Sequence, residues 1–428
     1  MKHLISILFL ALFFSQTAAS EAVLTFEEAV YIAIERNPRI AAARNDAEIA
    51  SNNAHAGNAG LFPKLDFTGS ANYNRTDPPS GIETETSSTS ARLGATYTLF
   101  NGLGNIYRYK RLKSEERLGE LNARERIENI IIHVSKAYYG AAEAFETLLV
   151  SRELLDISRE RLERVKSRSD FGQGGSVDVL NAKVNYNTDT VTVVRSEFAW
   201  EEATRNLNSL LNRNLGSKYK VDSNVKFANL EPLSQLREKA LKQNSSYQIA
   251  SESVKRAAFG QKVTRSAFMP RLDLSTSYGW EEYSNEGLNL DFNDPTSNWG
   301  VYATLSFNIF NGFQRRIDSK NAALEVRSRK MLEEQARLDM DRELINAYKS
   351  YSNSRAILDL EKNNLESARI NFQHTSKLYD LGQVTSTQFR EAQLNLTRAK
   401  TSVISATYQA KLDEIELFRI TGNLVNEI

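Results

Sequence analysis

Hydrophobic and polar positions change period several times along this chain, always in the same order. Residues 24–60 carry a helical period, with Thr25 placed to cap its start and Glu27 and Glu28 in the first turn, where carboxylates suit the helix dipole. After Pro63 the period drops to two, with Leu65, Phe67, Ala71 and Tyr73 on one side. A polar loop from Asp77 to Ser90 follows. Ala91, Leu93, Ala95, Tyr97 and Leu99 then alternate with Arg92, Gly94, Thr96 and Thr98, the pattern of a strand with one apolar face. From Gly102 to about Asp170 the period is helical again. Ile127, Ile131, Val134, Tyr138, Ala141, Phe145 and Leu148 step alternately by four and three, and Leu155 and Leu162 continue at sevens, which is a coiled-coil seam. A run of about 70 residues at ~1.5 Å rise makes a helix of about 100 Å. A glycine-containing break at 172–175 precedes a returning helix that ends near Leu211.

The whole series then recurs. Phe62-Pro63-Lys64-Leu65-Asp66-Phe67 returns as Met269-Pro270-Arg271-Leu272-Asp273-Leu274, 207 positions on, and Asn37 as Asn244. Leu99-Phe100-Asn101-Gly102 returns as Ile309-Phe310-Asn311-Gly312, and Phe171-Gly172-Gln173 as Leu381-Gly382-Gln383, both 210 positions on. The second coiled-coil seam runs through Leu344, Tyr348, Tyr351, Leu358, Leu365 and Phe372, and its returning helix ends near Thr421. The chain therefore reads as an α+β tandem duplication, with repeats over 21–229 and 230–428. Strands are expected at about 64–76, 90–100, 271–283 and 298–310, and helix tips at about 170–176 and 380–386. Strands of ~10–11 residues, with Tyr73, Tyr97, Tyr278, Trp280 and Trp299 near their ends, suit a transmembrane β-barrel with aromatic girdles.

Composition narrows the function. Of 428 residues 25% are charged, but they balance to +1, without the basic surplus of a nucleic-acid binder. After residue 20 no stretch approaches the ~20 consecutive apolar residues of a membrane-spanning helix. Lys2, the apolar run Leu4–Phe14 and the small residues up to Ser20 read as a secretory leader over residues 1–20. There is no cysteine, so disulfides, thiol catalysis and cysteine-held zinc are excluded. Gly102-Leu103-Gly104 follows a strand but has Tyr107 where a dinucleotide loop needs its third glycine. His55, His133 and His374 share no ligand spacing. No catalytic residue, cofactor or metal site is expected.

Four strands cannot close a barrel, and open sheet edges cannot face lipid. If the strands lie in a membrane the chain must assemble: three copies give twelve strands and two give eight, and arithmetic does not choose between them. An exported, soluble coiled-coil adaptor or structural protein with ordinary hairpins is the competing reading.

The ordered set of motifs resembles the TolC-type outer-membrane channels over nearly all of the chain after its leader. Its carriers are Leu24-Thr25-Phe26-Glu27-Glu28-Ala29-Val30 with Asn37-Pro38, the strand starts at Pro63 and Pro270, and the strand exits at Asn101-Gly102 and Asn311-Gly312. Gly172 through Asp178-Val179-Leu180-Asn181-Ala182 and the closing Leu417-Phe418-Arg419-Ile420-Thr421-Gly422 complete it. The resemblance implies a homotrimer with a shared twelve-strand barrel in outer-membrane lipid and a helical barrel in the periplasm. It also implies a periplasmic adaptor and an inner-membrane transporter as partners, in drug efflux or type I secretion. The missing cysteine sets the chain apart from the acylated branch. At the helix tips, which the family uses as its entrance gate, the matching positions are Gly172 and Asp178, then Tyr379 and Gly382. There Tyr379 is expected to bond Asp178. Val384 stands where the best-studied member has an arginine. Gln388 and Glu391 match the acidic pair of the lumen constriction, with one acid lost.

Overall fold

A computed structural model of the chain describes residues 23–77, 79, 84–172, 175–286 and 294–424. The leader expected over 1–20 lies outside the described residues, as do Gln173 and Gly174 of the first helix break.

The first half runs β1 (Val23–Leu24), α1 (Phe26–Arg36), α2 (Pro38–Asn53), β2 (Lys64–Thr76), β3 (Thr84–Phe100), α3 (Gly104–Asp170) and α4 (Ser176–Leu210). The second runs β4 (Lys220–Val221), α5 (Leu233–Gln243), α6 (Ser245–Ser266), β5 (Arg271–Glu286), β6 (Thr296–Ser306), α7 (Gln314–Asp380) and α8 (Ser386–Thr421). Starts of α2 and α6, and of β2 and β5, lie 207 positions apart; those of α3 and α7, and of α4 and α8, lie 210 apart. Both α3 and α7 are 67 residues long, or about 100 Å at ~1.5 Å per residue. Among the described residues no helix is long and apolar enough to cross a membrane.

Thr25 caps α1 as its sequence suggests. Its hydroxyl accepts the Glu28 N–H at 3.2 Å while the Glu28 carboxylate accepts the Thr25 N–H at 3.1 Å. The single helix expected over 24–60 is instead two, broken at Asn37. There the backbone turns extended, and the side-chain oxygen takes the Arg39 N–H at 2.9 Å to start α2, with Pro38 at the first position, where no N–H is missed. The Asn37 amide also donates to Leu210 O at 2.9 Å, tying down the end of α4. Asn244 repeats the device, accepting from Tyr247 N at 2.9 Å and donating to Ile420 O at 3.0 Å near the end of α8.

The four long strands form one antiparallel sheet in the order β2-β3-β5-β6. Its register lines up the two kinds of residue in separate rows. Leu65, Ala95, Thr276 and Val301 stand side by side, and Phe67, Leu93, Tyr278 and Trp299 form the next row on that face. The opposite face carries Asp66, Gly94, Ser277 and Gly300, then Thr68, Arg92, Gly279 and Asn298. There Ser70 and Ser90 share a 2.8 Å hydrogen bond, and Thr98 donates to Asp273 at 2.7 Å. A bulge at Leu99 puts Phe100 opposite Leu272 and re-aims the strand toward α3.

Three strands are bounded differently from the sequence reading. β3 starts at Thr84, because the polar run Thr84–Ser90, read as loop, completes ladders with Thr76–Ser70 and Glu286–Glu281. For the same reason β5 extends to Glu286. β6 spans Thr296–Ser306 and stops short of 310, since Ser306 pairs with Arg271 and the preceding Pro270 has no N–H to continue the ladder.

Two helical hairpins, α3 with α4 and α7 with α8, pack lengthwise, with α2 and α6 laid along α3. Ile131, Val134, Tyr138, Ala141, Leu148 and Leu162 of the expected α3 seam are buried. Leu155 is not: burial passes to Leu154 and Ser158, because a straight helix drifts ~20° per heptad from a strict seven-residue repeat. The main core joins Leu24, Phe26, Tyr138, Leu207, Tyr408 and Ile415, and a second gathers Leu236, Leu344, Tyr351 and Leu417.

Candidate functional site at the helix tips

Each long helix ends on a glycine that the backbone requires. Gly172 and Gly382 have φ of +71° and +73°, and a Cβ at either would meet nothing within 4 Å, so the left-handed turn and not crowding selects glycine. At the end of α7 the Gly382 N–H bonds Tyr379 O at 3.0 Å and the Gln383 N–H bonds Leu378 O at 2.9 Å, a Schellman closure. Asp178 sits in the first turn of α4, where its charge suits the exposed N–H groups.

Asp178 and Tyr379 are not hydrogen-bonded within the protomer. The Tyr379 ring lies 4.7 Å from that of Phe389, which also packs 5.7 Å from Phe372, so the second tip closes on an aromatic cluster around a buried Phe389. Asp178 instead lines a groove between α4 and α8 with Asn181, Arg161, Arg390 and Glu391. Glu391 is exposed in that groove. Gln388 is engaged in starting α8. Its side-chain oxygen accepts the Thr385 N–H at 2.8 Å while the Thr385 hydroxyl accepts the Gln388 N–H at 3.3 Å, a capping box.

The structure adds residues the sequence did not nominate. Arg161 of α3 is only 3% exposed. It donates to Ser386 and lies 5.8 Å over the Phe389 ring, while its Nε and Nη1 have no partner. Deeper in, Arg390 of α8 forms two 2.7 Å bonds to the carboxylate of Asp189 in α4. Ser158 of α3 and Gln393 of α8 complete this buried polar cluster. No sequence pattern marks it: Ser158 lies off the seam read through Leu155 and Leu162 and becomes buried only as that seam drifts. Among the described residues no group of His, Cys, Asp and Glu could hold a metal ion.

A four-stranded sheet with sorted faces, set on two helices of about 100 Å that turn at left-handed glycines into shorter returning helices, is the architecture of a membrane-anchored helical conduit. Residues 29–213 and 236–423 match the outer membrane efflux protein family, and the chain belongs to that family of outer-membrane channel proteins. It is 22% identical over 430 aligned positions to the alkaline protease secretion protein AprF of Pseudomonas aeruginosa, covering 92% of this chain and 86% of that one. It is 22% identical over 380 residues to the probable outer membrane lipoprotein SilC of Salmonella typhimurium, covering 85% and 78%. The outer membrane channel CmeC of Campylobacter jejuni superposes with a TM-score of 0.78 over 93% of this chain and 86% of that one, at 17% identity.

Proposed function

We propose that the chain is the exit duct of a tripartite efflux pump or type I secretion system. In this reading it is a homotrimer that passively conducts cargo from a periplasmic adaptor and inner-membrane transporter to the exterior. The observation that carries the reading is the sheet. Its apolar face presents Phe67 and Trp299 at 74% and 78% exposure, and its edge strands β2 and β6 each have one side without a neighbour in the sheet. A lipid-facing exterior and a polar lumen account for the two faces, and closure with further copies accounts for the edges. Three copies give the twelve strands expected above.

The helices support the same closure. Val177, Leu180, Val184, Val191, Val194 and Phe198 leave an exposed apolar stripe on α4 at coiled-coil spacing, the kind of seam a neighbouring copy covers. A soluble adaptor would have to expose both this stripe and the apolar sheet face to water, which soluble monomers avoid. In the duct reading the sheet ends at Thr76 and Thr84 and at Glu286 and Thr296 face outward, the Gly172 and Gly382 turns lie in the periplasm, and the entrance is gated at those tips.

The test is direct. Purified protein in detergent should cross-link no further than trimer and form ion-conducting channels in planar bilayers. On cells, an epitope inserted after Asp77 should label from outside and one after Gly172 should not. Recovery in the soluble periplasmic fraction, or a stable folded monomer in detergent, would sink the reading.

A further inference from the structure

Among the described residues, three side-chain contacts tie the α7/α8 hairpin to the α3/α4 hairpin near the tips, and burial ranks them. Arg164 pairs with Asp380 at 2.8 Å, but both side chains are about half exposed, and exposed pairs contribute little. Arg161 reaches Ser386 with one guanidinium nitrogen and leaves the other two, Nε and Nη1, unpaired. The third contact is of another kind. Asp189 is 2% exposed, and the Arg390 guanidinium meets it with two parallel bonds, the strongest arrangement for such a pair. Ser158 donates to Asp189, and its oxygen lies 3.2 Å from Arg390 Nη1 and 3.3 Å from Gln393 Nε2. Gln393 also accepts from Arg390 at 3.1 Å and reaches Leu154 O at 3.3 Å. Side chains of three helices, α3, α4 and α8, meet in this one cluster.

We propose that the Arg390–Asp189 pair, with Ser158 and Gln393, is the clasp that sets how readily the entrance end of the duct opens. The proposal rests on the duct reading above. A buried ion pair is satisfied when its bonds are made, and both charges are satisfied again once water reaches them. Between those states, with α8 shifted but the site still dry, two charges are left uncompensated. Packed helices joined this way switch between discrete arrangements and do not slide gradually. Asp178, exposed at its tip, and Tyr379, half-buried against Phe389, have no bond to each other that could impose such a threshold. Arg390 lies only four residues after the start of α8, so release of the clasp frees the second tip almost at its root.

Planar-bilayer recording on the full-length assembled protein tests this. Asp189→Asn leaves the Arg390 charge in place without its partner, and the trimer should conduct at least threefold more than the parent. Combining Asp189→Arg with Arg390→Asp should restore conductance to within a factor of two, which a purely structural packing role would not do. Because the chain has no cysteine, Ser158→Cys with Gln393→Cys introduces the sole pair of thiols. A short thiol cross-linker there should hold conductance below that of the same protein left unlinked. The proposal is overturned if assembled Asp189→Asn conducts like the parent, or if the linked and unlinked cysteine proteins conduct equally. Should Asp189→Asn fail to assemble, the cysteine pair decides alone. A parent protein that forms no channel refutes the duct reading itself.

Discussion

The two 67-residue helices α3 and α7 are copies of one another in length and position, yet they are buried very differently. Along α3 buried residues run from Gly104 to Val165, because α2, α4, α6 and α8 all pack against it. Along α7 they are confined to Met340–Leu358, although α6 and α8 both pack along it and α5 touches it. Further toward the sheet α7 exposes Ile317, Leu324, Met331 and Leu338, a row at intervals of seven. Duplication therefore fixed the backbone of each unit but not its surroundings. The first unit's long helix is completed by its own chain, and the second's presents a seam that its own chain does not fill. A coiled-coil seam left bare along ~30 Å is what a cyclic assembly of identical protomers needs.

The most damaging change is then one that spoils this bare seam without touching the protomer core. Leu324→Asp with Met331→Asp puts two charges where the assembly would desolvate them, at roughly several kcal/mol per buried unpaired ion. Trimer should disappear from cross-linked samples while far-ultraviolet circular dichroism keeps its helical signal. Normal trimer yield would mean that the row faces solvent and that the contrast between α3 and α7 has no role in assembly.

A second change compares the tips. The first is held by a small cluster of Leu162, Val165 and Ala182, and the second by Phe389 under Tyr379 and Phe372. Phe389→Ala removes a fully buried ring, at a cost of about 3–5 kcal/mol. It should open the second tip to proteolysis and raise channel conductance. Tyr379→Phe keeps the ring and removes a hydroxyl that has no hydrogen bond to Asp178, so it should change either readout far less. Equal effects would return weight to the Tyr379–Asp178 contact that the family resemblance suggests.

Backbone-level features were legible in the sequence because they rest on local rules. Period two marked the strands, glycine at a left-handed turn marked the tips, and two fixed offsets gave the recurrence of elements. What escaped depended on neighbours distant in sequence. Thr84–Ser90 looked like loop because strand pairing, not side-chain polarity, holds it in the sheet. Asp189 and Arg390 lie 201 residues apart, and in a chain with 25% charged residues neither stands out until the helices bring them together.

The mildest test probes the short stretch where α7 does have a core. Tyr351 lies there, 3% exposed, donating at 2.9 Å to Glu414, which also accepts from Ala228 N at 2.7 Å and Lys411 at 2.6 Å. Burial first, and then the Glu414 charge, push the Tyr351 hydroxyl from 10.0 up to about 12. The unfolded chain therefore gives up this proton before the folded one does. Stability contributed by the neutral hydroxyl is complete below pH 10 and drains away between pH 10 and 12, by at most about 1.4 kcal/mol per pH unit. Tyr351→Phe removes the titrating group and the hydrogen bond together. At pH 8 it should lower the thermal unfolding midpoint, in keeping with a lost bond of ~1 kcal/mol or somewhat more because its acceptor is charged. As pH rises from 10 toward 12 the parent alone loses stability, so the gap between the two midpoints should shrink, close and then reverse. A gap that stays constant to pH 12 would show that Tyr351 keeps its proton there, or that the α7 core does not take part in the unfolding step being observed.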